Sequence, residues 1–119
     1  MGDLSAHFSR WEFAEHDNGA LPAGMPDPRL VQILERIREM TGGQPLRIVS
    51  GYRSPAYNAR VGGARNSQHL YGRAADIEPG RCSPGTALSA GATGVGYDRH
   101  AWVVHVDCRP GSQVTFRDY

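Results

Sequence analysis

Asp27-Pro28 at one end and Gly42-Gly43 at the other bracket the best amphipathic stretch in the chain. Asp27 suits an N-cap and Pro28 a first helical turn. Leu30, Ile33, Leu34 and Ile37 recur at helical spacing and predict one apolar face, with Arg29, Gln32, Arg36 and Glu39 falling largely elsewhere. Gly42-Gly43 ends the helix and Pro45 forbids its continuation. Around that helix, 15 glycines and 8 prolines in 119 residues cut the chain into short pieces. The expectation is one domain spanning residues 1–119, with scaffold helices in the N-terminal half and a small antiparallel sheet after them: an α+β fold.

The shorter pieces follow the same signals. His7 to Phe13 predicts a short helix, with Ser9 and Glu12 spaced as a capping box. Leu46–Ser50 and Arg73–Glu78 read as strands, and Ser54-Pro55 opens a short helix through Arg60. Gly62-Gly63 to Gln68 is expected as loop, and Thr86 to Ala90 as a short helix. Val95–Tyr97 and Trp102–Asp107 are expected as two strands joined at Asp98–Ala101, and Gln113–Phe116 as a last edge strand.

A formal net charge of +1 gives no electrostatic case for a nucleic-acid partner. No apolar run approaches the roughly 20 residues needed to span a bilayer. No charged-then-apolar leader precedes Asp3, so cytosolic synthesis is expected. Cys82 and Cys108 lack C-x-x-C spacing, which argues against a thiolate zinc site. They pair in an oxidising place or stay as buried thiols; without a leader, free thiols are the preferred reading.

Chemistry concentrates in two segments. In His69-Leu70-Tyr71-Gly72-Arg73-Ala74-Ala75-Asp76, a glycine lets the chain turn sharply between an imidazole and a carboxylate. A loop histidine and a strand aspartate can then converge. In Trp102-Val103-Val104-His105-Val106-Asp107, strand alternation turns His105 and Asp107 to one face and Trp102, Val104 and Val106 to the other. Buried polar groups in an apolar strand need partners. Two histidines and one carboxylate form a catalytic zinc set that leaves a fourth position open. A hydrogen-bonded His/Asp pair without metal is the competing reading of the same residues.

Three segments carry a resemblance: Ser50-Gly51-Tyr52-Arg53-Ser54, Ser67-Gln68-His69-x-x-Gly72-x-Ala74-x-Asp76, and Trp102-Val103-Val104-His105-Val106-Asp107. In this order they resemble the zinc D-alanyl-D-alanine carboxypeptidase family, whose relatives include D,D-dipeptidases, L-alanyl-D-glutamate endolysins and the zinc-binding domain of hedgehog proteins. The resemblance runs from about His7 to Arg109. It implies one Zn2+ per chain held by His69, Asp76 and His105. It places Arg53 beside the metal, to bind the carbonyl or carboxylate of a substrate, and makes Asn58 and Ser67 polar residues lining that site. The implied substrate is a peptidoglycan stem peptide, cut by a monomeric enzyme acting at the cell wall.

The general base is where the chain departs from the family. Many members carry E-x-x-H or D-x-x-H before the last ligand, whereas Trp102 stands there and cannot take a proton. The chain resembles instead the subgroup ending in H-V-D. Asp107 is the nearest titratable candidate by strand geometry and His100 the second, with an orienting role for Asp107 as the alternative. Gly94-Val95-Gly96-Tyr97 resembles the family's G-x-G-Y segment. A zinc-stabilised binding module without hydrolysis, the hedgehog precedent, is the rival reading that the missing base favours.

Overall fold

The computed structural model describes residues 2–117. A short 3-10 turn at Arg10–Phe13 precedes α1 (Pro28–Met40); β1 (Ile48–Ser50) and α2 (Pro55–Arg60) follow. A second 3-10 turn at Gln68–Tyr71 leads into β2 (Ala74–Ile77), then α3 (Pro84–Ser89), β3 (Gly94–Tyr97), β4 (Val103–Asp107) and β5 (Val114–Arg117). The expected α+β class holds. The local signals explain the starts: Asp27 accepts from the Arg29 amide, Ser54 caps α2 and Ser83 caps α3, each helix having proline in its first turn. Around the first 3-10 turn, Ser9 and Glu12 form the expected capping box, the Glu12 carboxylate accepting from the Ser9 amide at 2.7 Å.

The five strands run in the order β1-β2-β4-β3-β5. Pairing is antiparallel except between β3 and β5, which is parallel. This corrects the expectation of a wholly antiparallel sheet. After β4 the chain reverses, but it passes over β3 to pair with that strand's outer edge, so β5 runs the way β3 does. The stretch expected as loop before His69 likewise ends in a 3-10 turn, capped by Ser67.

The helix signals place the core. Leu30, Ile33, Leu34 and Ile37 of α1 are buried as expected, joined by Val31. Each contributes about 1.5–3 kcal/mol by leaving water. They pack in one cluster with Ala75 and Ile77 of β2, Val95 of β3 and Val106 of β4. Ala75, Val106 and Val95 are register partners in a row across the sheet. Alternation along a strand turns their neighbours to the opposite face, so Asp76 and His105, themselves register partners, share the face away from this row. Cys82 and Cys108 are free, buried thiols, and burial pushes each up to about 11. Among the described residues no helix is long and apolar enough to cross a membrane.

Candidate metal centre

Three elements bring the expected ligand set together. The 3-10 turn Gln68–Tyr71 delivers His69, β2 delivers Asp76, and β4 delivers His105. Gly72 ends the turn in the left-handed region at φ 68°, where a Cβ would also lie 2.6 Å from the Met25 side chain. The sharp turn between His69 and Asp76 therefore depends on glycine. One donor atom from each of His69, Asp76 and His105 lies within 4.8 Å of the others. Both histidines are buried, and Asp76 is partly open to solvent.

The hydrogen bonds fix which ring nitrogen faces inward. His69 Nδ1 lies 2.6 Å from the Gly51 carbonyl oxygen, which can only accept. That ring nitrogen carries the proton, and Nε2 is turned to Asp76 Oδ1 at 3.2 Å. His105 Nε2 lies 2.8 Å from Asp107 Oδ2, and Nδ1 is turned to the same Asp76 oxygen at 3.0 Å. Two imidazoles and a carboxylate thus converge with their electron-rich atoms together. Such an arrangement calls for a cation between them, a proton or a metal ion. Nitrogen and oxygen donors of this kind suit zinc, and each histidine has its outer nitrogen held by an acceptor, as metal-ligating histidines do.

The electrostatics record the same convergence. Burial raises the Asp76 carboxyl, but the inner nitrogens of His105 and His69, able to share a proton with it, outweigh burial and hold the group below the usual carboxylate range. Burial lowers His105, yet hydrogen bonds to Asp107 and Asp76 outweigh it, and its pKa is raised. Asp107 is held low by His105 and Arg109 against its own burial.

Arg53 stands beside the cluster. Its amide donates to the His69 carbonyl at 3.2 Å, and its Nη2 donates to Asp76 Oδ2 at 3.1 Å. The guanidinium is largely buried, and Nε has no partner among the described residues. The loop that carries it is fastened to the N-terminal segment. The Tyr52 amide donates to the Phe13 carbonyl at 2.7 Å, and the Ser54 amide and hydroxyl both donate to Glu15 Oε1. Glu15 is buried and was not singled out from the sequence. Its only signal there is a charge just after the short helix.

The remaining expected residues divide. Asn58 is buried with both ends of its amide engaged, Nδ2 donating to the Ala64 carbonyl at 2.8 Å and Oδ1 accepting from Arg53 Nη1 at 3.4 Å. Gly63 makes room for it, since a Cβ there would lie 2.0 Å from Asn58 Oδ1. The Ser67 hydroxyl accepts from the His69 amide at 3.2 Å. Asp107 is fully buried, one oxygen 2.8 Å from His105 Nε2 and both held by Arg109. It therefore lies behind His105, on the far side of the ring from Asp76. His100 is exposed on the β3–β4 loop, where its amide donates to Asp98 Oδ1 and its ring meets Arg99. Trp102, three residues before His105, is also exposed.

Comparison with known proteins gives a family and a relative. A zinc D-Ala-D-Ala carboxypeptidase of Streptomyces albus G is 45% identical over 47 residues, which cover 40% of this chain and 18% of that protein. The match thus spans less than a fifth of that relative's length. The family model described as Peptidase M15 matches residues 6–107, a span that holds the arginine loop, the 3-10 turn and the strands of the cluster, and this chain belongs to the Peptidase M15 family.

Proposed function

We propose that this chain is a mononuclear zinc peptidase that hydrolyses peptidoglycan stem peptides at the cell wall. The observation that carries the reading is the meeting of His69 Nε2 and His105 Nδ1 on Asp76 Oδ1, with Arg53 on the other oxygen of that carboxylate. His69, Asp76 and His105 would hold one Zn2+ per chain. When bound, the ion supplies Lewis acidity toward a carbonyl group and toward water. The substrate class is supported by the name of the Streptomyces relative.

Within this reading Arg53 binds the carbonyl or carboxylate of the peptide, because a planar guanidinium keeps its charge and offers paired donors. Its grip on Asp76 Oδ2 holds that group in place before substrate arrives. Asn58 and Ser67 are reassigned from substrate contact to support. Asn58 steadies the Arg53 guanidinium and Ser67 the turn of His69, since their polar atoms are already engaged there. Asp107 is reassigned as well. A general base must reach the proton it removes, and a carboxylate fully buried behind a ligand, with both oxygens held, is placed to orient that ligand. Proton uptake is assigned to His100, the exposed one of the two acceptors expected from the sequence.

A second reading is favoured by one observation: Trp102, which cannot take a proton, stands three residues before His105. It takes the chain as a zinc-stabilised module that binds a partner without cutting it. Digestion of purified peptidoglycan with zinc-loaded protein, with products read by mass spectrometry and His69→Ala as control, separates the two. New products that vanish in the control support the peptidase and identify the bond. No products from a protein carrying one zinc per chain supports the binding module. In the same assay, unchanged turnover by His100→Ala removes that residue from proton transfer.

A further inference from the structure

The residues that hold His105 continue past the end of the family match. That match stops at residue 107. Arg109 lies beyond it and grips the Asp107 carboxylate from three directions. Its amide donates to Oδ1 at 3.1 Å, Nε donates to Oδ1 at 2.9 Å, and Nη2 donates to Oδ2 at 2.6 Å. Phe116 of β5 then covers both ends of the chain of contacts. The Arg109 guanidinium carbon lies 4.6 Å from the Phe116 ring centre, and the His105 ring meets the same ring edge-on at 6.4 Å.

The sheet register makes this packing feasible. Gly96 of β3 is the register partner of both His105 on β4 and Phe116 on β5. The two rings therefore come from strands on either side of a residue with no side chain, and they meet across it. Gly94, two residues earlier, is the register partner of Asp107. A Cβ on Gly94 would lie 2.2 Å from Asp107 Oδ1 and 2.3 Å from Oδ2. The carboxylate thus lies folded over the backbone of β3, in space that only glycine leaves open.

We propose that Arg109 and Phe116 are positioning residues of the metal centre: they fix the Asp107 carboxylate, and through it the His105 ring, with Nδ1 turned toward Asp76. The physical reason is that a histidine ring on a strand has two ways to turn. An acceptor held rigidly behind Nε2 selects one of them and one tautomer. Asp107 alone has torsional freedom about its own bonds. The bidentate guanidinium removes it, and the Phe116 ring keeps the guanidinium in plane. Beyond the family's own ligand triad, the proposal gives β5 a function: the parallel edge strand brings in the aromatic face that closes this support. Its affinity readout rests on the zinc-site reading above, while its ring-orientation readout does not.

The test combines zinc affinity, measured by competition with a chelator, and long-range proton–nitrogen NMR of the His105 ring in metal-free and zinc-loaded protein. In the native chain the expected state carries the proton on Nε2 in both forms. Arg109→Gln should weaken zinc binding about 10-fold, within the range for partners behind a metal ligand, and should mix the tautomers of the metal-free ring. Arg109→Lys should fall between, because an ammonium cannot grip both oxygens in a plane. Phe116→Leu keeps apolar volume but loses the ring face, and should weaken binding about 3-fold. Thr115→Ala, on the same strand and exposed, should match the native chain in both readouts.

Native affinity and an unchanged ring spectrum in Arg109→Gln would overturn the proposal. If that variant does not fold, Arg109→Lys and Phe116→Leu decide: native values in both overturn it equally. A loss in Thr115→Ala as large as in Phe116→Leu also overturns it, since the effect would then belong to the strand at large. Zinc binding that survives His69→Ala would instead sink the zinc-site reading, and the ring spectra would still judge the support.

Discussion

His69 and His105 face the same oxygen of Asp76, but the chain holds them by different means. Behind His69 stands a backbone carbonyl, that of Gly51. Behind His105 stands a side chain, Asp107, held in turn by Arg109. The first support is built by the path of the main chain. The Gly51 loop is pressed against the N-terminal segment, and no side-chain deletion removes the acceptor. The second is built from charged side chains, Asp107 buried at the end of β4 and Arg109 just past it, and it can be taken away one group at a time. The difference teaches where each half of the centre is vulnerable: the His69 half to backbone displacement, the His105 half to loss of a functional group.

The largest effect should come from the atom the halves share. Asp76→Ala is expected to weaken zinc binding by at least about 100-fold, beyond the usual reach of a partner behind a ligand. It should also abolish peptide hydrolysis, and metal analysis after dialysis checks the first part directly. Binding within a few-fold of native would mean that the two histidines do not depend on this carboxylate. Next comes Asp107→Asn. A general base replaced in this way would leave zinc content intact and stop turnover. The geometry instead predicts zinc affinity lower by about 10–100-fold and stability lower by about 1.5–3 kcal/mol from weakened hydrogen bonds to charged groups. Chelator competition beside urea unfolding distinguishes the two outcomes.

A pair of glycine substitutions sharpens the contrast. Gly94→Ala drives a methyl group into the Asp107 carboxylate, and Gly51→Ala drives one into the Phe13 carbonyl, 2.5 Å from the built Cβ. Each should destabilise by about 1–3 kcal/mol, the usual penalty of overpacking. In the metal-free protein, NMR should find the His105 ring disturbed by Gly94→Ala and the His69 ring by Gly51→Ala. The same ring disturbed in both would erase the distinction. A separate effect is one of pH on metal-free protein. Asp76 and Asp107 are held low, so their contribution to stability is present above about pH 4 and is lost as pH falls through their folded values. His105 is raised, so its contribution is complete below about pH 6.5 and is lost as pH rises through its folded value. Urea midpoints should therefore be highest between those limits, and a midpoint rising steadily from pH 6 to 8 would contradict the assignment for His105.

Much of this was legible in the residues themselves. The helix from Asp27 to Gly43, with proline in its first turn and Gly-Gly after its end, carries its own start, face and stop. So does the cap Ser54, because these signals act over a few residues and need no distant partner, whereas α3 starts at Pro84 behind Ser83, ahead of the expected start at Thr86. The convergence of His69, Asp76 and His105 was legible for a different reason. His69 and Asp76 are joined by a turn that requires Gly72, and His105 lies on an alternating strand in a family pattern. Glu15 was not legible, because its importance comes from Ser54, thirty-nine residues away. The place of β5 beside β3 was not legible either, since a short edge strand has the same sequence pattern whichever way it pairs.

Asp107 marks the boundary. Strand alternation put it on the same face as His105, as expected. That fact alone leaves base and orienting partner equally open. The proposed orienting role rests on long-range placement: Gly94 across the sheet, where a carboxylate can lie over bare backbone, and Arg109 at the end of the strand, closing on both oxygens. The sequence by itself determined which groups this protein carries and the local turns that aim them, because φ/ψ preference, capping and alternation are written residue by residue. Which nitrogen of each histidine faces Asp76 was decided only by the tertiary structure, because a ring turns to the acceptor behind it, and those acceptors arrive from elsewhere in the fold.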